Sequence, residues 1–196
     1  FSAFALRQEY DWFNVSTTAQ DIFRVSGGVT LLFCALTGWA QKSFSRTLSG
    51  MVGIGVGVAL LMLAGGQALD VQGMALGVAT RALSIGLMGF GLALLREAAP
   101  SDDFASMRGL GAKYPLAMAA LALGGISALG LPGTLGFVSQ WVGARAMTSR
   151  GDLEIMLLLI VAIASVSVGF IRGIRVLMGD PQPAPESADL IVEAAP

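Results

Sequence analysis

Few side chains in this sequence are equipped for chemistry, and those that are lie within apolar runs. Arg81 stands inside one run, flanked by Thr80 and Ser84, and Ser139 and Gln140 stand inside another, just after Leu131-Pro132-Gly133. A guanidinium at membrane depth is costly, so Arg81 must face the interior of a bundle, an anion or water. Pro132 has no backbone N–H and its ring clashes with the preceding turn, which predicts a helix break at Leu131-Pro132-Gly133. A break at membrane depth is tolerated only where protein or a wet cavity covers the freed backbone groups. In transporters, helix ends and freed carbonyls at such breaks hold ions near the midplane. The chemistry suggested is passage of a proton or cation, lined by Arg81, Gln140, Ser84, Thr80 and Ser139, with Ser127 and Ser165 as further hydroxyls able to order water.

The set lacks the groups that a proton relay ordinarily uses. Such relays need side chains that change charge, whereas arginine hardly deprotonates and a glutamine amide does not titrate. No carboxylate lies deep in an apolar run: Asp70 is at a helix edge, and Glu97, Asp152 and Glu154 are interfacial. There is no histidine, and Cys34 is the one cysteine, which excludes disulfides, histidine-based metal sites and Cys–His nucleophiles within the chain. Nothing supports a stand-alone membrane enzyme, and no cofactor is expected in this chain. Two readings of Arg81 stay open, a charge in an ion pathway or a structural arginine that pairs with a neighbouring subunit or snorkels. The hydroxyls read equally well as packing glue between helices.

The elements that must position these residues are membrane helices. Of 196 residues, 55% are hydrophobic and 13% charged, with a mean hydropathy of +0.73; a soluble domain carries about 25% charged residues. The expected fold is an all-α integral membrane protein with about five complete transmembrane helices, one of them discontinuous. Spans are predicted at about 26–41 (extending back through Ile22), 48–69, 71–95 and 153–178, with the broken segment over 113–148. Asp70 is read as closing a very short turn, and residues 96–113 as a polar loop. Gly50, Gly53, Gly55 and Gly57 read as one small-residue face for close helix packing. Three regions follow: 1–25, the end of a preceding helix plus a loop or interfacial segment with Tyr10, Trp12 and Phe13 at headgroup level; 26–178, the transmembrane bundle; and 179–196, a flexible, proline-rich acidic tail. Asn14-Val15-Ser16 matches a glycosylation sequon of low specificity.

The chain opens on Phe1 without a signal-peptide pattern, and the expectation is that it is part of a longer polypeptide. Net charge is −1 with no basic stripe, which gives no reason to expect nucleic acid. Lys42, Arg46, Arg96, Arg108, Lys113, Arg172 and Arg175 fall on one side, against Arg7, Arg24, Arg145 and Arg150 on the other. The positive-inside rule puts the first group, and with it the tail, in the cytoplasm. The charge pattern favours 113–148 crossing once, as a single broken helix, because a hairpin would move Arg172 and Arg175 to the other side.

Three local patterns resemble one family. Residues 30–46, TLLFCALTGWAQKSFSR, are similar to a span with small residues and a terminal glutamine followed by a basic connector. Residues 80–86, TRALSIG, are similar to a helix that carries a central histidine and often a lysine. Residues 130–141, GLPGTLGFVSQW, resemble a broken helix whose signature ends in glutamate or lysine. Together they are similar to the C-terminal part of the antiporter-like membrane subunits of respiratory complex I, a family that includes multisubunit cation/proton antiporters and membrane-bound hydrogenase subunits. The resemblance implies a proton-translocation module, other membrane subunits of a multisubunit complex and the lipid bilayer as partners, and a bacterial inner or other energy-transducing membrane as location. It also implies departures: Arg81 stands at the histidine, Ile85 at the lysine, Gln140 at the terminal glutamate or lysine, and Ser45 at the first basic residue of the connector. The implied role is a non-catalytic subunit of a proton-translocating oxidoreductase whose own conduction is in doubt, with a purely structural scaffold as the alternative.

Overall fold

The computed structural model describes residues 17–65, 68–99 and 101–179. Tyr10, Trp12, Phe13, the Asn14 sequon and the tail from 180 lie outside the described residues. The elements are helices α1 (Thr17–Gly38), α2 (Phe44–Gly65), α3 (Ala68–Arg96), α4 (Leu110–Lys113), α5 (Pro115–Leu129), α6 (Leu135–Ser149) and α7 (Leu153–Leu177). Four of them are long and apolar enough to cross a membrane: α1, α2, α3 and α7. Even α1 and α2, at 22 residues each, reach about 33 Å, more than the ~30 Å of a bilayer core. Their outward faces are apolar, with Val25, Phe33, Leu83, Phe90 and Ile171 among the exposed side chains, as a bilayer solvent demands.

Three boundaries differ from the sequence expectation. Helix α1 starts at Thr17, five residues before the expected Ile22, so the stretch expected as loop or interfacial helix runs unbroken into the span; neither glycine nor proline interrupts 17–26 to stop the turn from propagating. The polar side chains there, Gln20, Asp21 and Arg24, read as loop by composition alone. Helix α2 starts at Phe44, four residues before the expected 48. Ser43 caps it, its Oγ accepting the Arg46 N–H at 3.4 Å, a standard way to satisfy a free N–H of a first turn. Asp70 lies within α3, which begins at Ala68, rather than in a turn.

The broken segment runs in a single line along α3. Backbone of Ala117 and Leu121 lies against Gly91, and that of Ser84 and Met88 against Gly124. Ser84 bonds Ser127 at 2.7 Å, Gly77 faces Ser139, and Gly73 faces Val142. Contacts therefore move steadily from 117 to 142 as α3 is followed back from 91 to 73. A hairpin would reverse that drift; α5 and α6 instead form two halves of one crossing antiparallel to α3.

The ends of the helices agree with an odd number of crossings. Residues 101–109 are stapled at one end of the bundle to the α1–α2 connector and to α7. Phe104 N–H donates to Lys42 O at 3.0 Å and Gly109 N–H to Val176 O at 3.3 Å. Phe44 and Phe104 meet edge to face with centroids 4.8 Å apart, both against Gly173. At the other end Arg24 pairs with Asp152, which also lies 3.6 Å from Arg150 Nε. The positive-inside grouping thus corresponds to two physical ends, one rich in basic residues and one where arginines meet Asp152.

Candidate functional site

The break is built one step earlier than Pro132 suggests. Helix α5 stops at Leu129 because Gly130 adopts the left-handed conformation, φ 73° and ψ 39°. Gly130 N–H donates to Ser127 O at 3.0 Å and Leu131 N–H to Ile126 O at 3.2 Å. This pair of bonds is a Schellman motif, which satisfies carbonyls at a helix end and favours glycine at this place. Pro132 then lies beyond the end of α5, where it bars the helix from resuming. Thr134 leads into α6, its hydroxyl donating to Leu131 O at 2.7 Å. Leu131, Pro132 and Gly133 are exposed on the outer surface of the chain.

The second half-helix is seated on the first by a missing side chain. A Cβ at Gly136 would collide with the carbonyl oxygen of Ser127, and one at Gly130 with the side chain of Gln140. The polar side chain of Gln140 is thereby folded back over the break. It is 7% exposed, and neither its amide oxygen nor its amide nitrogen has a hydrogen-bond partner among the described residues.

Arg81 sits level with this break. The register places Ser84 beside Ser127, before the break, and Gly77 beside Ser139, after it; Arg81 lies between the two on α3. It is 7% exposed, and its Nη1 is buried with no hydrogen-bond partner among the described residues. Its side chain crosses to α2 and lies over Gly55. A void of about 10 Å³ is lined by Gly55, Met62, Gly77, Arg81 and Ser139, room for about one water.

The hydroxyls in the set are partly committed. Ser84 donates to Thr80 O at 2.8 Å or shares its proton with Ser127. Thr80 donates to Leu76 O at 3.0 Å and Ser139 to Gly136 O at 2.8 Å. Thr80 and Ser139 have turned their protons onto their own helices, a pattern that satisfies the group locally, while Ser84 also bridges to Ser127. Ser165 is glue between α1 and α7: its hydroxyl donates to Ala35 O at 2.7 Å and accepts the Trp39 N–H at 2.9 Å. It is therefore not part of the set around the break.

The structure thus brings Arg81 and Ser139 to one void and Ser84 to Ser127, and it buries Gln140 against Gly130. No hydrogen bond links Gln140 to Arg81, and no continuous chain of side-chain bonds joins the five candidates, among the described residues. Within that set no carboxylate approaches Arg81, and no group of three or more His, Cys, Asp or Glu side chains is placed to hold a metal. One polar residue was overlooked as a candidate: Gln41 is buried with its Oε1 unpartnered, packed between Gly50 and Gly169. Its position at the end of an apolar run between two polar connectors hid it.

The glycines of α2 do not share one face. Gly53 meets Cys34 and Gly57 meets Leu31 and Gly27, all on α1, whereas Gly50 meets Gln41 and Val166 and Gly55 meets Arg81. The expectation of a single packing face holds for the α1 contact and fails for Gly55. At that position the small residue makes room for a charged side chain.

Comparison with known proteins adds an independent line. Residues 2–167 match the family described as NADH:quinone oxidoreductase/Mrp antiporter, TM. The chain is similar to NADH-quinone oxidoreductase subunit N of Desulforudis audaxviator (strain MP104C), 32% identical over 158 residues, 78% of this chain and 31% of that protein. It is similar to the subunit N of Chlorobium chlorochromatii (strain CaD3), 31% identical over 160 residues, 80% of this chain and 29% of that one. F(420)H(2) dehydrogenase subunit M of Methanosarcina mazei is 27% identical over 121 residues, 62% of this chain and 24% of that protein. The chain spans less than a third of the length of these curated relatives.

Proposed function

This chain belongs to the NADH:quinone oxidoreductase/Mrp antiporter transmembrane family, and on that premise we propose that it serves as an antiporter-like module of a membrane-bound, multisubunit quinone-oxidoreductase-type complex. In this reading the discontinuous helix is retained as architecture, while the module relays no protons by titration of its own side chains. One observation carries it: Arg81, a fixed charge, lies level with the break, and the polar side chains at the break are Gln140 and hydroxyls bonded to helix carbonyls or to one another. A relay through such groups has no member that changes charge near neutral pH. The basic end of the bundle faces the cytoplasm in this reading, following the positive-inside rule.

A second reading has its own support. Buried polar atoms without protein partners call for water, and Gln140 and Arg81 both present such atoms. Water recruited there would conduct past the break without a titrating side chain. The two readings part on Gln140→Leu in the reconstituted complex. The module reading expects proton or cation flux to stay within about twofold of wild type, since one hydrophobic swap at an uncoupled site changes no barrier on the path. A loss of flux of about tenfold at normal assembly overturns it in favour of the water path.

A further inference from the structure

The basic end of the bundle carries a cleft that the reading above does not use. Arg172 and Arg175 lie one turn apart on α7, and both are exposed. Neither has a hydrogen bond or ion pair among the described residues. Like charges at this spacing repel. At the other end two of the arginines, Arg24 and Arg150, meet Asp152. Two adjoining clefts, of about 480 and 510 Å³, share Arg108, Arg172 and Val176 as a common wall. The first also has Val168, Ile171 and Arg175 in its lining, and the second has Lys42, Asp103 and Phe104.

Depth and polarity are graded along this surface. Counting ~20 residues of hydrocarbon depth from Leu153 reaches Arg172, so both arginines fall at headgroup level. Val168 and Ile171, one turn deeper, are 49% and 57% exposed and apolar. The wall opposite α7 is tied down at two points: Phe104 N–H on Lys42 O joins the loop to the α1–α2 connector, and Gly109 N–H on Val176 O joins it to α7. Arg108 has a partner elsewhere in the chain, and Asp103 supplies one negative charge beside Lys42. The uncommitted positive charge is therefore that of Arg172 and Arg175.

We propose that this cleft binds the phosphate headgroup of an anionic phospholipid, with Arg172 and Arg175 on the phosphate and the acyl chains along Val168 and Ile171. Guanidinium groups match phosphate oxygens with paired donors, and basic clefts between membrane helices recognise anionic headgroups by this chemistry. A free phosphate would use the same arginines but would gain nothing from the apolar wall below them. A lipid uses both.

Native mass spectrometry of the protein, purified in detergent, tests the assignment. Phosphatidylglycerol, phosphatidylcholine and inorganic phosphate are the three probes. Phosphatidylglycerol adducts should exceed phosphatidylcholine adducts, and Arg172→Gln and Arg175→Gln should each lower that ratio about fivefold. Arg172→Lys with Arg175→Lys should keep most of it. Equal adducts for the two lipids, or an unchanged ratio in both single glutamine variants, overturns the proposal. So does displacement of phosphatidylglycerol by millimolar inorganic phosphate, which would mark a simple anion site. If the double glutamine variant fails to purify, the single variants still decide.

Discussion

Arg81 of α3 lies across Gly55 of α2, so close that a Cβ at Gly55 would sit 2.7 Å from Nη1 and 3.0 Å from Cδ. The glycine is the seat of the charge. Membrane helices gain from small residues where they approach one another; here the approach is made by a side chain instead of a backbone. The arginine thereby keeps its head inside the protein and out of lipid.

Gly55→Val should therefore destabilise the protein by about 1–3 kcal/mol, the usual cost of overpacking a filled site. Combined with Arg81→Ala the same substitution should cost markedly less, because the valine then fills the space that the arginine leaves. A double-mutant cycle on thermal unfolding in detergent measures the coupling. Strict additivity would show that the two residues do not share the site.

Gly136→Ala strikes backbone, not a flexible side chain, since its Cβ would meet Ser127 O. The two half-helices would have to part, and the buried seat of Gln140 would open. We expect a loss of about 2–4 kcal/mol and lower yield of folded protein. Gly133→Ala, with open space around the Cβ position but a φ of 90°, should lose only the smaller cost of left-handed strain, about 1 kcal/mol. Equal melting temperatures for the two variants would contradict the geometry.

Acid should loosen the basic end of the bundle. Hydrogen bonds from Ser45, together with the nearby charge of Arg96, hold the Asp102 carboxyl below its ordinary pKa against the opposing effect of partial burial. Ser45 N–H donates to Asp102 Oδ2 at 3.2 Å, in the first turn of α2. A carboxyl whose folded pKa is lowered adds stability that is fully present above its unfolded pKa, about 3.9. That stability is lost as pH falls through the lower folded value. Melting temperature should decline below about pH 4, and Asp102→Asn should flatten that part of the profile. At pH 7 the variant should lose about 0.3–1 kcal/mol, the worth of a negative charge at a helix start.

Much of this protein could be read from residue types. Long apolar runs mark α2, α3 and α7 because a bilayer-spanning helix must be apolar for about 20 residues whatever it packs against. The break was legible for a similar reason, since Pro132 cannot donate and Gly130 and Gly133 flank it. Its construction was not. That α5 ends on Gly130 in a Schellman motif depends on which carbonyls the turn can reach, and proline alone does not report that. That α1 runs unbroken from Thr17 was not legible, because polar residues before a span read equally as loop or as a separate interfacial helix.

By itself the sequence determined that the chain is helical and membrane-embedded, that its candidate site holds a fixed charge and an amide instead of titrating groups, and which patterns resemble a known family. These follow from composition, from proline's missing N–H and from the chemistry of each side chain, none of which depends on neighbours. The loop charges already favoured one crossing for 113–148, whereas only the tertiary structure decided that it runs along α3, that Arg81 is level with the break, and that Gly55 faces Arg81 while Gly53 and Gly57 face α1. Those are relations between helices distant in sequence, set by which small residues let which backbones approach, and no local pattern encodes them.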